Sequence, residues 1–219
     1  MLKKSLFLLL TLTLTVGTLT AQALSDCKID YKVDLNDPKM DPMARMMMSG
    51  AKMSISFLGK KSRVDMTMNA MMRTVAVSDE VANNTVVFMD MAGKKMAMVP
   101  DEDPKSMNEN YNATSTKTGK SKSIAGFKCE EYVVKSESGD EIHLWCTEKI
   151  KPQSSATDFS YKNVSGFPLE MDMKQDGMKM KMTATKVSPE KPDAKLFSTA
   201  IPPGYEVKTQ KELEGQFSK

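Results

Sequence analysis

Apolar and polar positions alternate through much of this chain, and the apolar member is repeatedly methionine: Met66 and Met68, Met89 and Met91, Met96 and Met98, Met171 and Met173, then Met178, Met180 and Met182. A period of two is the repeat of a β-strand, whose successive side chains point to opposite faces. Each such segment sets two thioethers on one side of a strand and leaves the other side to polar residues.

Turn chemistry registers the strands as hairpins. Lys52 to Leu58 and Lys61 to Asn69 flank Gly59-Lys60, a two-residue turn with glycine first. Counting outward pairs Phe57 with Ser62, Ile55 with Val64 and Met53 with Met66, and leaves Arg63, Asp65, Thr67 and Asn69 on the other face. Asp176-Gly177 is a strong hairpin signal that sets Met173 opposite Met180 and Met171 opposite Met182, with Asp172 beside Lys181 and Lys174 beside Lys179. Val87 to Met91 and Lys95 to Val99, joined through Ala92-Gly93-Lys94, bring Met91 near Met96 and Met89 near Met98. In a fourth hairpin, Phe127 to Ser136 and Gly139 to Thr147 flank Glu137-Ser138. A two-residue turn there places Cys129 opposite Cys146 and His143 on the face of Tyr132.

Between the hairpins, Arg73 to Ser78 predicts a further strand. Met40, Met43, Met46 and Met47 have helical spacing and predict a short helix within 37–49, and Pro192 to Phe197 predicts one more helical turn. Pro100 to Thr116 is polar and broken by Pro100 and Pro104, a loop or short helix. No strand alternates with a long helix, so the fold class is mostly β, an antiparallel meander with a few short helices.

Composition changes this picture in three places. Lys3 and Lys4, the apolar stretch Leu6 to Leu19 and the small-x-small site Ala21-Gln22-Ala23 have the order of an export signal, which assigns residues 1–23 to a signal peptide and 24–219 to one β-rich domain. Leu24-Ser25-Asp26-Cys27 has the outline of a lipoprotein box, but Asp26 stands where a small uncharged residue belongs. Removing 1–23 takes away two lysines and no acid, which lowers the net charge from +3 to near neutrality. Positive and negative side chains are interspersed, which argues against a nucleic-acid partner. Leu, Ile, Val and Phe are scarce enough to raise the question of disorder, and the 21 methionines restore a core's worth of apolar side chains.

In an exported chain, Cys129 and Cys146 opposite one another predict a disulfide, worth about 3 kcal/mol through the loop it closes. Cys27 is then left over, as a free thiol, a lipidation site or a partner for another chain.

Gly126-Phe127-Lys128-Cys129 with Tyr132, Trp145 and Cys146, then Gly166-Phe167-Pro168-Leu169-Glu170-Met171, Phe197 and Pro202-Pro203-Gly204-Tyr205, resembles an exported bacterial family, the domain of unknown function 4412. The resemblance runs from about Met53 to Tyr205. That family is similar to the lipoprotein-carrier superfamily, so the resemblance implies a curved antiparallel half-barrel with small helices and a hydrophobic concave face. It implies no ligand and no catalytic residues.

Chemistry-bearing motifs are few. The chain has one histidine and lacks a Gly-x-Ser-x-Gly elbow, a His-Glu-x-x-His helix and a glycine-rich phosphate loop, which points away from an enzyme. His143 is expected as a packed or half-exposed side chain, and Asp101, Glu102 and Asp103 as a solvated run. The expected function is non-enzymatic binding of a hydrophobic ligand, a lipid, acyl chain or lipidated peptide, in the envelope or periplasm. The expected surface is Met53, Ile55, Met66, Met68, Met89, Met91, Met96, Met98, Met171, Met173, Met178, Met180 and Met182. No cofactor and no metal site are assigned, peripheral contact with membrane or lipoproteins fits this surface, and the oligomeric state is left open. Two alternatives stand beside it: a copper(I)-handling protein using Met-x-Met thioethers, and a structural domain whose methionines are ordinary core.

Overall fold

Twelve strands form one open, curved sheet in the computed structural model of the protein, whose described residues are 23–36, 41–43, 46, 50–68, 72–100, 113–136, 140–155, 161, 163–175 and 178–212. In chain order they are β1 (Cys27–Asn36), β2 (Lys52–Leu58), β3 (Lys61–Met68), β4 (Met72–Asp79), β5 (Asn84–Met91), β6 (Lys94–Val99), β7 (Ala113–Ile124), β8 (Phe127–Ser136), β9 (Glu141–Thr147), β10 (Phe167–Gln175), β11 (Met178–Ser188) and β12 (Glu206–Thr209). Their order in space is β12-β6-β5-β4-β3-β2-β1-β11-β10-β9-β8-β7. Pairing is antiparallel except between β6 and β12. Two meanders, β2 to β6 and β7 to β11, therefore lie side by side, and β1 joins them by pairing with β2 and β11.

The sheet is rolled toward one face. Neighbouring strands are spaced by about 4.8 Å, so on a flat sheet side chains of β2 and β10, three steps apart, would stand roughly 14 Å from each other. Instead the rings of Phe57 and Phe167 meet edge to face with centroids 5.5 Å apart. The Tyr31 hydroxyl likewise donates to the Pro168 carbonyl at 2.8 Å, across two steps. Inside the roll lies the main core, including Cys27, Ile29, Tyr31, Ile55, Phe57, Leu144, Ile150, Leu169 and Met171. A smaller core sits on the outer face, where Phe197 of a 3-10 turn (Ala194–Phe197) packs on Val75 and Val77, and Tyr205 stands edge-on to Phe88.

Residues after β9 form a strap across one end of the roll. Leu24 and Ile150 make a short parallel bridge, and the Glu80 carboxylate at the β4–β5 turn accepts from the Ser154 hydroxyl at 2.9 Å, the Ser155 hydroxyl at 3.1 Å and the Ser155 amide. Burial of Ile150 beneath it completes the core at that end.

The hairpins at Gly59-Lys60 and Asp176-Gly177 have the expected registers, with Met53 facing Met66, Met171 facing Met182 and Met173 facing Met180. The β5–β6 register differs by two residues. Ala92 and Gly93, both at positive φ (53° and 86°), make a two-residue turn held by the Asp90 carboxylate accepting from the Gly93 amide. Met89 consequently faces Met96, Met98 faces Val87 and Met91 faces Lys94, in place of the pairs Met91–Met96 and Met89–Met98.

The cysteine hairpin corrects two expectations. The Ser136 amide donates to the Asp140 carbonyl, so three residues separate the strand ends where two were counted. That slips β8 against β9 by one residue, so Cys129 and Cys146 are no longer direct cross-strand partners, although both lie in the main core. Cys146 faces Glu130 and Cys129 faces Lys122 of β7; Cys27, Cys129 and Cys146 are all buried free thiols, and no disulfide joins Cys129 to Cys146. The same slip sets His143 opposite Val133, away from the face of Tyr132.

Of the predicted helices, the turn near Phe197 is present as 3-10, and Pro42, Met43 and Met46 are helical. Met40 and Met47 lie outside the described residues, as do residues 1–22 of the export signal and 101–112 of the polar loop.

Candidate functional site

Register carries the thioethers onto one face. Directly paired residues share a face, so the chain of pairs Tyr31–Met53, Met53–Met66, Met66–Thr74, Thr74–Met89 and Met89–Met96 runs from the core strand β1 out to β6 along the inner side of the roll. On the other side of β1, Val33 faces Met182, which faces Met171, and Leu35 faces Met180, which faces Met173. Met68 and Met91 follow by the period of two, Met98 by its pairing with Val87, and Ile55 faces Val64. Met178 is paired with Gln175 at the ends of β11 and β10.

These residues also gather toward one end of the roll. Met53 opens β2, Met66 and Met68 close β3, Met89 and Met91 close β5, Met96 is near the start of β6, and Met178, Met180 and Met182 open β11. Antiparallel order brings all of those strand ends to the same side, with Met98 in mid-sheet as the exception. The opposite end is built from Cys27, Ile29, Ile55, Phe57, Phe167, Leu169 and Ile150, all buried, under the strap. One end is thus filled by stiff branched and aromatic side chains and the other by flexible thioethers.

Burial divides the methionines further. Met53, Met96, Met171 and Met182 are buried, whereas Met66, Met68, Met89, Met91, Met98, Met173 and Met180 are half-buried. Met72, which the sequence pattern left out, is half-buried too and faces Met68 on one side and Met91 on the other. The Met71-Met72 pair stood just ahead of the strand predicted from Arg73, and extending that strand by one residue would have found it. Where β1 and β2 part, a cleft of about 550 Å³ opens, lined by Val33, Ala51 and Met53 together with Asp30, Asp34, Lys52 and Asp65. A second, of about 400 Å³, lies on the outer face beneath Leu196 and is lined by Arg63, Asp65 and Arg73.

The outer face is laced with ion pairs. Glu170, nearly buried, accepts from Lys122 and Lys181 at 2.9 Å each, and Lys122 also sits 4.0 Å above the Trp145 ring. Burial alone would raise the Glu170 carboxyl, but the two lysines outweigh it and hold it below its usual range. Glu131 behaves alike: burial is opposed by hydrogen bonds with Thr118, His143 and Lys120. Asp65, with Arg73 and Arg63 on it, is the third case. These carboxylates are held ionised by structural partners, the opposite of an acid kept protonated for proton transfer. Burial pushes the Cys27 and Cys129 thiols up to about 11 and Cys146 to about 12, so none is a thiolate at neutral pH. Among the described residues no group of three or more His, Cys, Asp or Glu is arranged to hold a metal ion, and no helix is long and apolar enough to cross a membrane.

Comparison with known proteins agrees with this architecture. A family model described as a domain of unknown function, DUF4412, matches residues 39–205. No curated protein matches. Among solved structures, PNGF-II matches with a TM-score of 0.53 and 15% identity over 89% of this chain and 34% of that one. MucB of Pseudomonas aeruginosa, in its complex with MucA, matches with a TM-score of 0.41 and 11% identity over 81% and 62%. A LolA superfamily protein from Nitrosomonas europaea matches with a TM-score of 0.26 and 7% identity over 80% and 91%. The chain spans about a third of PNGF-II, and the likeness at 15% identity is one of fold.

Proposed function

The chain belongs to the family of the domain of unknown function DUF4412, and we propose that it is a non-enzymatic envelope protein that binds an apolar ligand at the methionine end of its concave face. In this proposal residues 1–23 direct export, residues 24–219 act as one domain, and the ligand is a lipid, an acyl chain or a lipidated peptide. The observation that carries it is the segregation just described: half-buried thioethers collect at one end of the roll while the other end is packed and strapped. A core needs no such division. A site for flexible hydrocarbon does, because Met side chains repack around guests of varying shape at little cost, whereas branched and aromatic side chains hold the wall that the guest abuts.

Native mass spectrometry of protein purified from its own host tests this. A lipid-sized mass that leaves on denaturation is expected. The bare polypeptide, together with no uptake of a fluorescent fatty acid or lysophospholipid, would overturn the proposal and leave the methionines as core.

A further inference from the structure

We propose that Met68, Met72 and Met91 form a site for a soft monovalent cation, copper(I) or silver(I), on the concave face. Met68 of β3 is paired directly with Met72 of β4, and Met72 directly with Met91 of β5. Three thioethers therefore stand side by side on adjacent strands and on one face. It is the one row of three consecutive methionines among the described residues: in the next row Thr74 separates Met66 from Met89, and the rows through Met182 and Met180 hold two each.

Directly opposed residues have Cβ atoms about 4.5–5.5 Å apart, and the roll of the sheet toward this face leans their tips together. Each side chain has three torsions with which to turn its sulfur inward. All three are half-buried, which leaves a route for a cation while limiting competition from water. Neutral thioethers are soft donors that favour copper(I) and silver(I) over hard divalent ions, and three suffice for a trigonal site. Lys94, next in the row after Met91, is exposed, so its ammonium can turn to solvent away from the cation. His143 plays no part, since it is hydrogen-bonded to Glu131 on the outer face.

This inference needs sulfur, and leucine substitutions remove the sulfur while keeping the side chains apolar. The test is anaerobic titration of the purified protein with copper(I) against a competing chelator, and with silver(I) under native mass spectrometry. One cation per chain is expected. Met68→Leu, Met72→Leu or Met91→Leu should each weaken binding at least tenfold and the triple variant should abolish it, while Met43→Leu, at an exposed methionine outside the row, leaves cation binding unchanged. Leucine is close to methionine in volume, so these variants should keep the wild-type circular dichroism and melting temperature. Absence of uptake by the wild type overturns the proposal. Undiminished uptake by the triple variant also overturns it.

Discussion

At the scale of single residues, the outer face owes its order to carboxylates whose burial is offset by cations. Glu170 illustrates the sign. Its folded pKa lies below the ordinary 4.5, so its ionisation stabilises the fold above that value, and the contribution disappears as pH falls through the depressed one. Glu170→Gln should therefore cost about 1–3 kcal/mol at neutral pH, the value of charge-assisted hydrogen bonds. The gap from wild type should narrow steadily below pH 4.5, as followed by denaturant unfolding across that range. The thiols make a second test at this scale. Buried and protonated, Cys27, Cys129 and Cys146 should resist alkylation in the native protein under mildly alkaline conditions, and all three should be modified in denaturant without a reductant. Two unmodified cysteines in denaturant would restore the disulfide that the register removes.

Among the elements, hairpins are where sequence spoke most clearly and where it erred. Gly59-Lys60 and Asp176-Gly177 carry turn chemistry that fixes loop length, and every pair counted from them is present. At Glu137-Ser138 no residue dictates a two-residue loop, and the single extra residue takes Cys129 out of register with Cys146 and turns His143 away from the face of Tyr132. β7 went unforeseen because an edge strand with one neighbour can stay polar: its Ser, Thr and Lys side chains are mostly exposed. Those lysines and the bulge between Lys117 and Ser121 also blunt the edge against further pairing. β1 had no such excuse, for Cys27, Ile29, Tyr31, Val33 and Leu35 alternate cleanly with Lys28, Asp30, Lys32 and Asp34. The strap is the element whose loss is simplest to detect. Glu80→Ala should speed hydrogen exchange of the Ser155 amide at least tenfold while amides of β4 and β5 keep their protection, because the carboxylate is that amide's acceptor.

For the whole molecule, the consequence of two meanders meeting at β1 is a roll with unlike ends. Contacts such as Phe57 on Phe167 and Tyr31 on Pro168 draw the halves together at the branched, aromatic end. Nothing in the spacing of methionines announces that division, since each Met-x-Met is legible only as a strand face. It arises because antiparallel order alternates strand direction, so that methionines closing β3 and β5 arrive beside those opening β2, β6 and β11. The proposed site was thus partly visible: the sequence marked Met68 and Met91, and the strand predicted from Arg73 stopped one residue short of Met72 between them.

What the amino-acid sequence determined by itself was the face of each strand, because alternation follows from the local sterics of an extended backbone and needs no knowledge of neighbours. The pairing of β1 with β11, the one-residue slip beside Cys146 and the closing of the sheet over its own apolar side required the folded chain. Those features are settled by contacts between residues as far apart as Tyr31 and Pro168, whose energies no local pattern records.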